Sequence, residues 1–343
     1  RRLFASSAAH FHPDAINRIW RKPHTPLPGL RRSASFIQGP SNIFIKRFEF
    51  QETIFMQRVI GYVMICTALV CWGLIGPVGR FALAEGMTPF EVAFWRAFFG
   101  GSFFLVQAAI TGLWRATPKQ HLIFSVFGLP GVALLFIFYQ VGVLYSGAAL
   151  TSVLNNTAPV WVAIWSFLFF KESMTWVKVL SIVMAIGGAA LVSVSGGGLG
   201  GTPSIVGILC GILSGICYSL HYPFGKKYLR DVSPVTLYAH ILPAGALFLL
   251  PFVDFMPDKS ATVWLAVIAL GFISSWVAYR MFCEALKRLE ATKVAIMAPL
   301  EPFVTAFFAY IWWGEKFSAL GWLGAALVVS AVLLSIKPEK CKN

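Results

Sequence analysis

Charge is what this sequence has least of. Asp, Glu, Lys and Arg make up 12% of the 343 residues, about half of the ~25% usual in soluble domains. Only 14 residues are acidic, against 28 Lys and Arg. The six cysteines (Cys66, Cys71, Cys210, Cys217, Cys283, Cys341) fall mostly inside apolar runs, in neither a zinc spacing nor a disulfide framework. They read as small core residues, and no metal or cofactor is expected. The glycine run from Gly196 to Gly201 has no strand before it and no GKS/T after it, which excludes a phosphate loop. HExxH and paired aspartates are absent from the apolar runs, because Asp254 and Asp258 sit in a connection. That argues against an intramembrane enzyme.

What is abundant is apolar sequence. Hydrophobic residues reach 57% and the mean hydropathy is +0.73. Runs of about 20 such residues are long enough to cross a bilayer. Ten can be placed, at 59–79, 89–112, 121–144, 149–170, 176–195, 204–224, 235–253, 262–284, 292–314 and 318–336. The fold expected is therefore an all-α integral membrane protein of ten transmembrane helices, with connections too short for a soluble domain.

Residues 1–55 are different. They carry nine Lys or Arg against Asp14, Glu49 and Glu52, with scattered Pro and Ser and no helical period. Disorder is expected there. Met56 stands directly before the first run and is favoured as the physiological start, the preceding part being an upstream extension. An Arg-rich, acid-poor organelle transit peptide is the alternative.

Basic residues in the connections alternate strongly. Fourteen fall on one side (Arg58, Arg115, Lys171 and Lys226 among them) and three on the other, Arg80, Lys259 and Lys316. The positive-inside rule then puts both termini in the cytoplasm, with residues 337–343 as a tail. The basic excess is thus topological, and no nucleic-acid partner is implied. A bacterial inner membrane is the expected location, an organelle membrane the alternative.

The two halves repeat. Cys71-Trp72 and Pro77-Val78-Gly79-Arg80 match Cys217-Tyr218 and Pro223-Phe224-Gly225-Lys226, each offset by 146. Pro89 and Pro234 each open the next span, while Pro159 and Glu172 match Pro302 and Glu315 at an offset of 143. Repeats at 59–195 and 204–336 hold five spans each, so the second enters the membrane from the opposite side. Two inverted five-helix repeats with proline-interrupted helices are the architecture of secondary transporters, whose solute binds at the midplane between halves.

Here the sequence resembles a known family. Cys71-Trp72-Gly73, Pro89 with Arg96, Ala158-Pro159, Phe170-Lys171-Glu172, Ala291-Thr292, Leu300-Glu301-Pro302 and Trp313-Gly314-Glu315-Lys316 are similar to the drug/metabolite transporter superfamily, in its form with two tandem EamA-type units. The resemblance covers residues 59–336 and implies ten helices, export or exchange of small metabolites, and no ATP-hydrolysing domain. Ala158 departs from the pattern, standing where the family has an acidic residue before the proline.

Buried charge is sparse enough to be informative. Glu301 lies between Pro299 and Pro302, roughly 13 Å into the ninth span at ~1.5 Å per residue. A carboxylate at that depth is a functional-site candidate by default. Arg280, on the antiparallel eighth span, is the partner expected for it, either as a structural clamp or as a gate. Arg96, Arg280, Glu301 and His240 are the candidates for gating or coupling, with a proton as the possible coupling ion. For solute binding the candidates are Asn155, Asn156, Thr157, Trp72, Trp161, Tyr139, His221 and Tyr222. The alternative roles are plain: the amides and hydroxyl can satisfy carbonyls freed by Pro159, the histidines can be structural, and the aromatics can be packing. Gly100-Gly101 and Gly187-Gly188 read as close-approach points between helices.

The function expected is secondary transport, most plausibly export of small metabolites such as amino acids. A sugar-phosphate or nucleotide-sugar exchanger is the alternative, which needs several converging cations where only Arg96 and Arg280 are available. Partners are then a small solute and the lipid bilayer, and the chain is expected as a monomer or homodimer.

Overall fold

The computed structural model describes residues 40–195, 204–314 and 318–336. The chain divides into two units, residues 1–50 and 51–343, and the second carries the membrane spans. Among the described residues, ten helices are long and apolar enough to cross a membrane. They are α1 (Phe55–Ala84), α2 (Pro89–Thr111), α3 (Pro118–Ser146), α4 (Leu150–Phe170), α5 (Trp176–Val194), α6 (Ile205–Tyr228), α7 (Pro234–Phe252), α8 (Ala261–Arg288), α9 (Ala291–Trp312) and α10 (Ala319–Ile336). Five precede the 196–203 connection and five follow it, so the second set threads the membrane in the opposite sense.

The end of the 1–55 segment runs into the first span as part of one helix, Pro40–Gly73. The Pro and Ser residues of that segment nearly all precede Pro40, and the stretch after it is rich in Ile and Phe. Residues 1–39, the glycine run 196–201, Glu315 and the tail 337–343 lie outside the described residues.

Local chemistry sets the helix starts. Thr88, Thr117, Ser233 and Ser260 each accept a hydrogen bond from a backbone N–H of the first turn. This satisfies donors that have no partner inside the helix. In three of the four, a proline follows the cap, where its missing N–H costs nothing.

Two spans contain a wider π turn that hydropathy does not reveal, Leu129–Leu134 in α3 and Gly271–Val277 in α8. They occupy equivalent places in the halves, and each begins beside a glycine crossing. A Cβ on Gly128 would stand 2.7 Å from the backbone nitrogen of Gly245 on α7. On Gly271 it would stand 2.5 Å from Phe99 Cβ and 3.0 Å from the nitrogen of Gly100 on α2. Both crossings therefore require glycine. Gly188 and Gly324 play the same role between α5 and α10, where a Cβ on either would meet the other's carbonyl oxygen at 2.6 Å. Gly187, also expected at a contact, has nothing within 4 Å, because a helical neighbour one residue on points about 100° away.

Candidate functional site

The ninth helix is interrupted at the point its prolines dictate. An α segment Ala291–Met297 gives way to a 3-10 turn, Ala298–Leu300, and Glu301 begins the second segment. Helix α4 breaks at the equivalent place: one segment ends at Asn155 and another restarts at Ala158 with Pro159 in its first turn. Ala158, the position matching Glu301, is buried and apolar.

Glu301 is half-buried. Its electrostatic neighbour is Arg96. The expected partner, Arg280, lies elsewhere: its guanidinium sits 5.0 Å from the ring centre of Trp276, one turn back on the same helix. Depth along a helix can be counted from sequence, but rotation about its axis cannot, and rotation decides this contact. Glu284 pairs with Lys287 and Arg288, at 2.8 and 2.6 Å.

Arg96 is 9% exposed and its guanidinium stacks 4.3 Å from the centre of the Phe136 ring. Neither the Arg96 guanidinium nor the Glu301 carboxylate makes a hydrogen bond or a close ion pair with any described residue. Two uncommitted opposite charges inside a protein are costly unless something else satisfies them. Tyr139, Tyr218, Tyr222 and Tyr279 lie within electrostatic range of Glu301. Trp72 sets its ring edge-on to Tyr218 and Tyr279, at 6.4 and 5.7 Å. Aromatic groups of α1, α3, α6 and α8 thus gather near the two charges, the cation on α2 and the carboxylate on α9.

The other candidates are occupied by structural bonds. Thr157 Oγ1 donates to the Leu154 carbonyl (2.7 Å) and accepts from Trp161 Nε1 (3.2 Å). Asn156 Nδ2 donates to the Ser152 carbonyl (2.8 Å), and Asn155 Oδ1 accepts from Ser214 Oγ (3.2 Å). The polar triplet therefore closes the α4 break, leaving the Asn155 amide nitrogen uncommitted. His221 is 2% exposed and bridges Gly131 O (2.6 Å) and Tyr238 Oη (3.2 Å). The carbonyl can only accept, so Nε2 carries the proton and Nδ1 accepts from the tyrosine. Trp72 Nε1 donates in the same way to Ser274 O, at 3.0 Å. Gly131 and Ser274 match at the offset of 143, so each π turn presents one carbonyl to a ring of the opposite half. His240 is not near Glu301. It bonds His121 Nδ1 (2.8 Å) and the Thr236 carbonyl (2.8 Å), toward the end of α7 that meets the basic connections.

On the basic face the halves are tied together. Glu172, at the end of α4, accepts from Ala291 N (3.2 Å) and Thr292 Oγ1 (2.8 Å), capping α9. Lys178 Nζ stands 2.9 Å from Glu290 Oε2, and Lys226 donates to the carbonyls of Leu286 and Leu289 at the end of α8. Burial alone would raise the Glu290 carboxyl, but Lys178 and the charges of Lys293 and Lys226 outweigh it and hold it below the usual carboxylate range. Sequence reasoning missed a fourth cluster. Glu91, fully buried, takes Lys259 Nζ (2.9 Å), Trp95 Nε1 (3.1 Å) and Met256 N (3.0 Å).

The whole membrane portion is matched by one family. The sequence model of the EamA-like transporter family covers residues 59–194 and 205–337. The chain belongs to that family. EamA-like proteins are transporters rather than enzymes, and the chain is similar to several individual members. An uncharacterized transporter of Archaeoglobus fulgidus is 29% identical over 73% of this chain and 88% of its own. The transporter YvbV of Bacillus subtilis is 27% identical over 82% and 92%. A probable terminal-alkyne amino-acid exporter of Streptantibioticus cattleyicolor is 26% identical over 67% and 77%. One crystal structure superposes with a TM-score of 0.69 at 18% identity, over 82% of this chain and 96% of the other. That likeness concerns the EamA fold alone.

Proposed function

We propose that this transporter exports small zwitterionic metabolites, amino acids foremost, by alternating access between its inverted repeats. The observation that carries the reading is the Arg96–Glu301 arrangement: opposite charges, each without a bonded partner among the described residues, with tyrosine rings within electrostatic range of the carboxylate. A solute carboxylate on Arg96 and an ammonium on Glu301 supply the hydrogen bonds that both groups lack. The tyrosine and tryptophan rings then take the apolar side chain. The amino-acid exporter of Streptantibioticus cattleyicolor, which the chain resembles at 26% identity, supports the same substrate class.

Glu301 is also the group at which a proton and the solute ammonium compete. Binding of one excludes the other. Export is thereby coupled to proton entry. The excess of basic residues on one face supports cytoplasmic termini, and the bacterial transporters that the chain resembles support a bacterial plasma membrane. A sugar-phosphate exchanger is less well supported, because Arg280 lies against Trp276 and Arg96 is left as the cation beside Glu301. Counterflow of radiolabelled amino acids in proteoliposomes, with and without a pH gradient, tests the reading. Uptake that rises with an opposing proton gradient supports coupling, and equal uptake in both conditions removes it.

A further inference from the structure

A cavity of about 390 Å³ opens on the basic face, and neither Arg96 nor Glu301 lines it. That size falls within the ~300–1,000 Å³ of small-ligand sites. Arg58, Lys226, Arg288 and Lys293 line it against a single acid, Glu290. Two of these cations have structural work: Lys226 holds the carbonyl end of α8, and Arg288 pairs with Glu284. Arg58 has no bonded partner among the described residues, and Lys293 stands 3.7 Å from a carboxylate already shared with Lys178. The cavity therefore keeps an unspent positive charge in a walled site.

Its rim is apolar. Phe55 and Val59 of α1 and Ile336 of α10 border the same cavity, and all three are exposed. Their exposure continues along each helix: Val63 follows Val59 by four residues, while Leu333 and Val329 precede Ile336 by three and seven. Those spacings keep each set on one helix face. Two apolar tracks thus run into the bilayer from a cationic head site.

We infer that this cavity binds the phosphate headgroup of an anionic phospholipid, with its acyl chains along α1 and α10. Basic pockets between membrane helices bind such headgroups by the same chemistry. A free phosphate shares the headgroup charge but has no use for the apolar tracks. The chain's own tail is a poor occupant, because Lys337, Lys340 and Lys342 outnumber Glu339 and repel the site.

The full chain in mild detergent, titrated with phosphatidylglycerol, phosphatidylcholine or inorganic phosphate, tests this by native mass spectrometry and thermal shift. Phosphatidylglycerol should bind at least tenfold more tightly than phosphatidylcholine. Each of Arg58→Gln and Lys293→Gln should weaken it about fivefold, the worth of one cation near a membrane surface. Arg58→Gln removes no bond to a described residue, and a melting temperature equal to the wild type's makes its loss of lipid interpretable. Equal retention of the two lipids, or unchanged affinity in Arg58→Gln, overturns the proposal. Inorganic phosphate that stabilises the protein as much as the lipid does overturns the lipid assignment in favour of a free anion.

Discussion

Replacing Lys259 by Met tests how a buried charge is held on the face opposite the basic one. Glu91 is 0% exposed and Lys259 8%, and Lys259 also lies 5.5 to 5.9 Å from the centres of the Trp95, Phe255 and Trp264 rings. Leaving one charge of such a pair without the other costs about 3–5 kcal/mol. Two neutral donors remain on Glu91, Trp95 Nε1 and Met256 N, so Lys259→Met should fall near the lower end, ~3 kcal/mol. Glu91→Gln removes the charge while keeping an acceptor, and should cost ~1–2 kcal/mol. The double variant no longer buries an unpaired charge, so its loss should fall short of the sum by at least ~1 kcal/mol. Equilibrium unfolding in mixed SDS micelles, followed by tryptophan fluorescence, reads all four corners of the cycle. Additivity within ~0.5 kcal/mol would refute the claim that the two charges act as a unit.

The helix crossings and the basic face carry three other expectations. Gly100→Ala should destabilise by at least ~1–3 kcal/mol, because the new Cβ would collide with Ser275 Cβ, whereas Gly187→Ala, with nothing within 4 Å, should be near neutral; the same unfolding assay compares them. His221→Phe should cost ~1–3 kcal/mol by leaving the Gly131 carbonyl without its donor, while His240→Phe, far from Glu301, should leave amino-acid counterflow at least half intact. Glu290 has its carboxyl held low in the folded state, so its contribution is full above the ordinary carboxylate value of 4.5 and is lost as pH falls below it. The wild type should therefore lose more thermal stability than Glu290→Gln between about pH 5 and about pH 3, and parallel losses would remove that assignment.

Hydropathy was sufficient for the ten spans, because bilayer thickness fixes how long an apolar run must be. Pro159 and the pair Pro299 and Pro302 located the two helix breaks for the same local reason: a missing N–H acts on its own turn. Arg96 and Glu301 were legible as rare charges in lipid-depth sequence. Their mutual proximity was not, since it depends on how α2, α8 and α9 are rotated about their axes. The role of His221 was hidden because its acceptor, Gly131, belongs to a π turn that leaves no hydropathy signal. Glu91 stands in the first turn of α2, its N–H donating to the Thr88 cap, and local sequence gives it no buried role. Its burial arises only when the connection carrying Met256 and Lys259 folds back over it. The available signal was its rarity, as one of few acids inside an apolar run.

Export of a zwitterion requires Arg96 and Glu301 to act together. The most direct measurement is counterflow in proteoliposomes of an amino acid, its decarboxylated amine and its deaminated acid, for the wild type, Arg96→Gln and Glu301→Gln. Folding of each variant is checked by its melting temperature. The wild type should carry the amino acid and neither truncated analogue, and each folded variant should lose at least tenfold in amino-acid flux. Full flux in a folded Glu301→Gln protein, or equal transport of the amine, would contradict it.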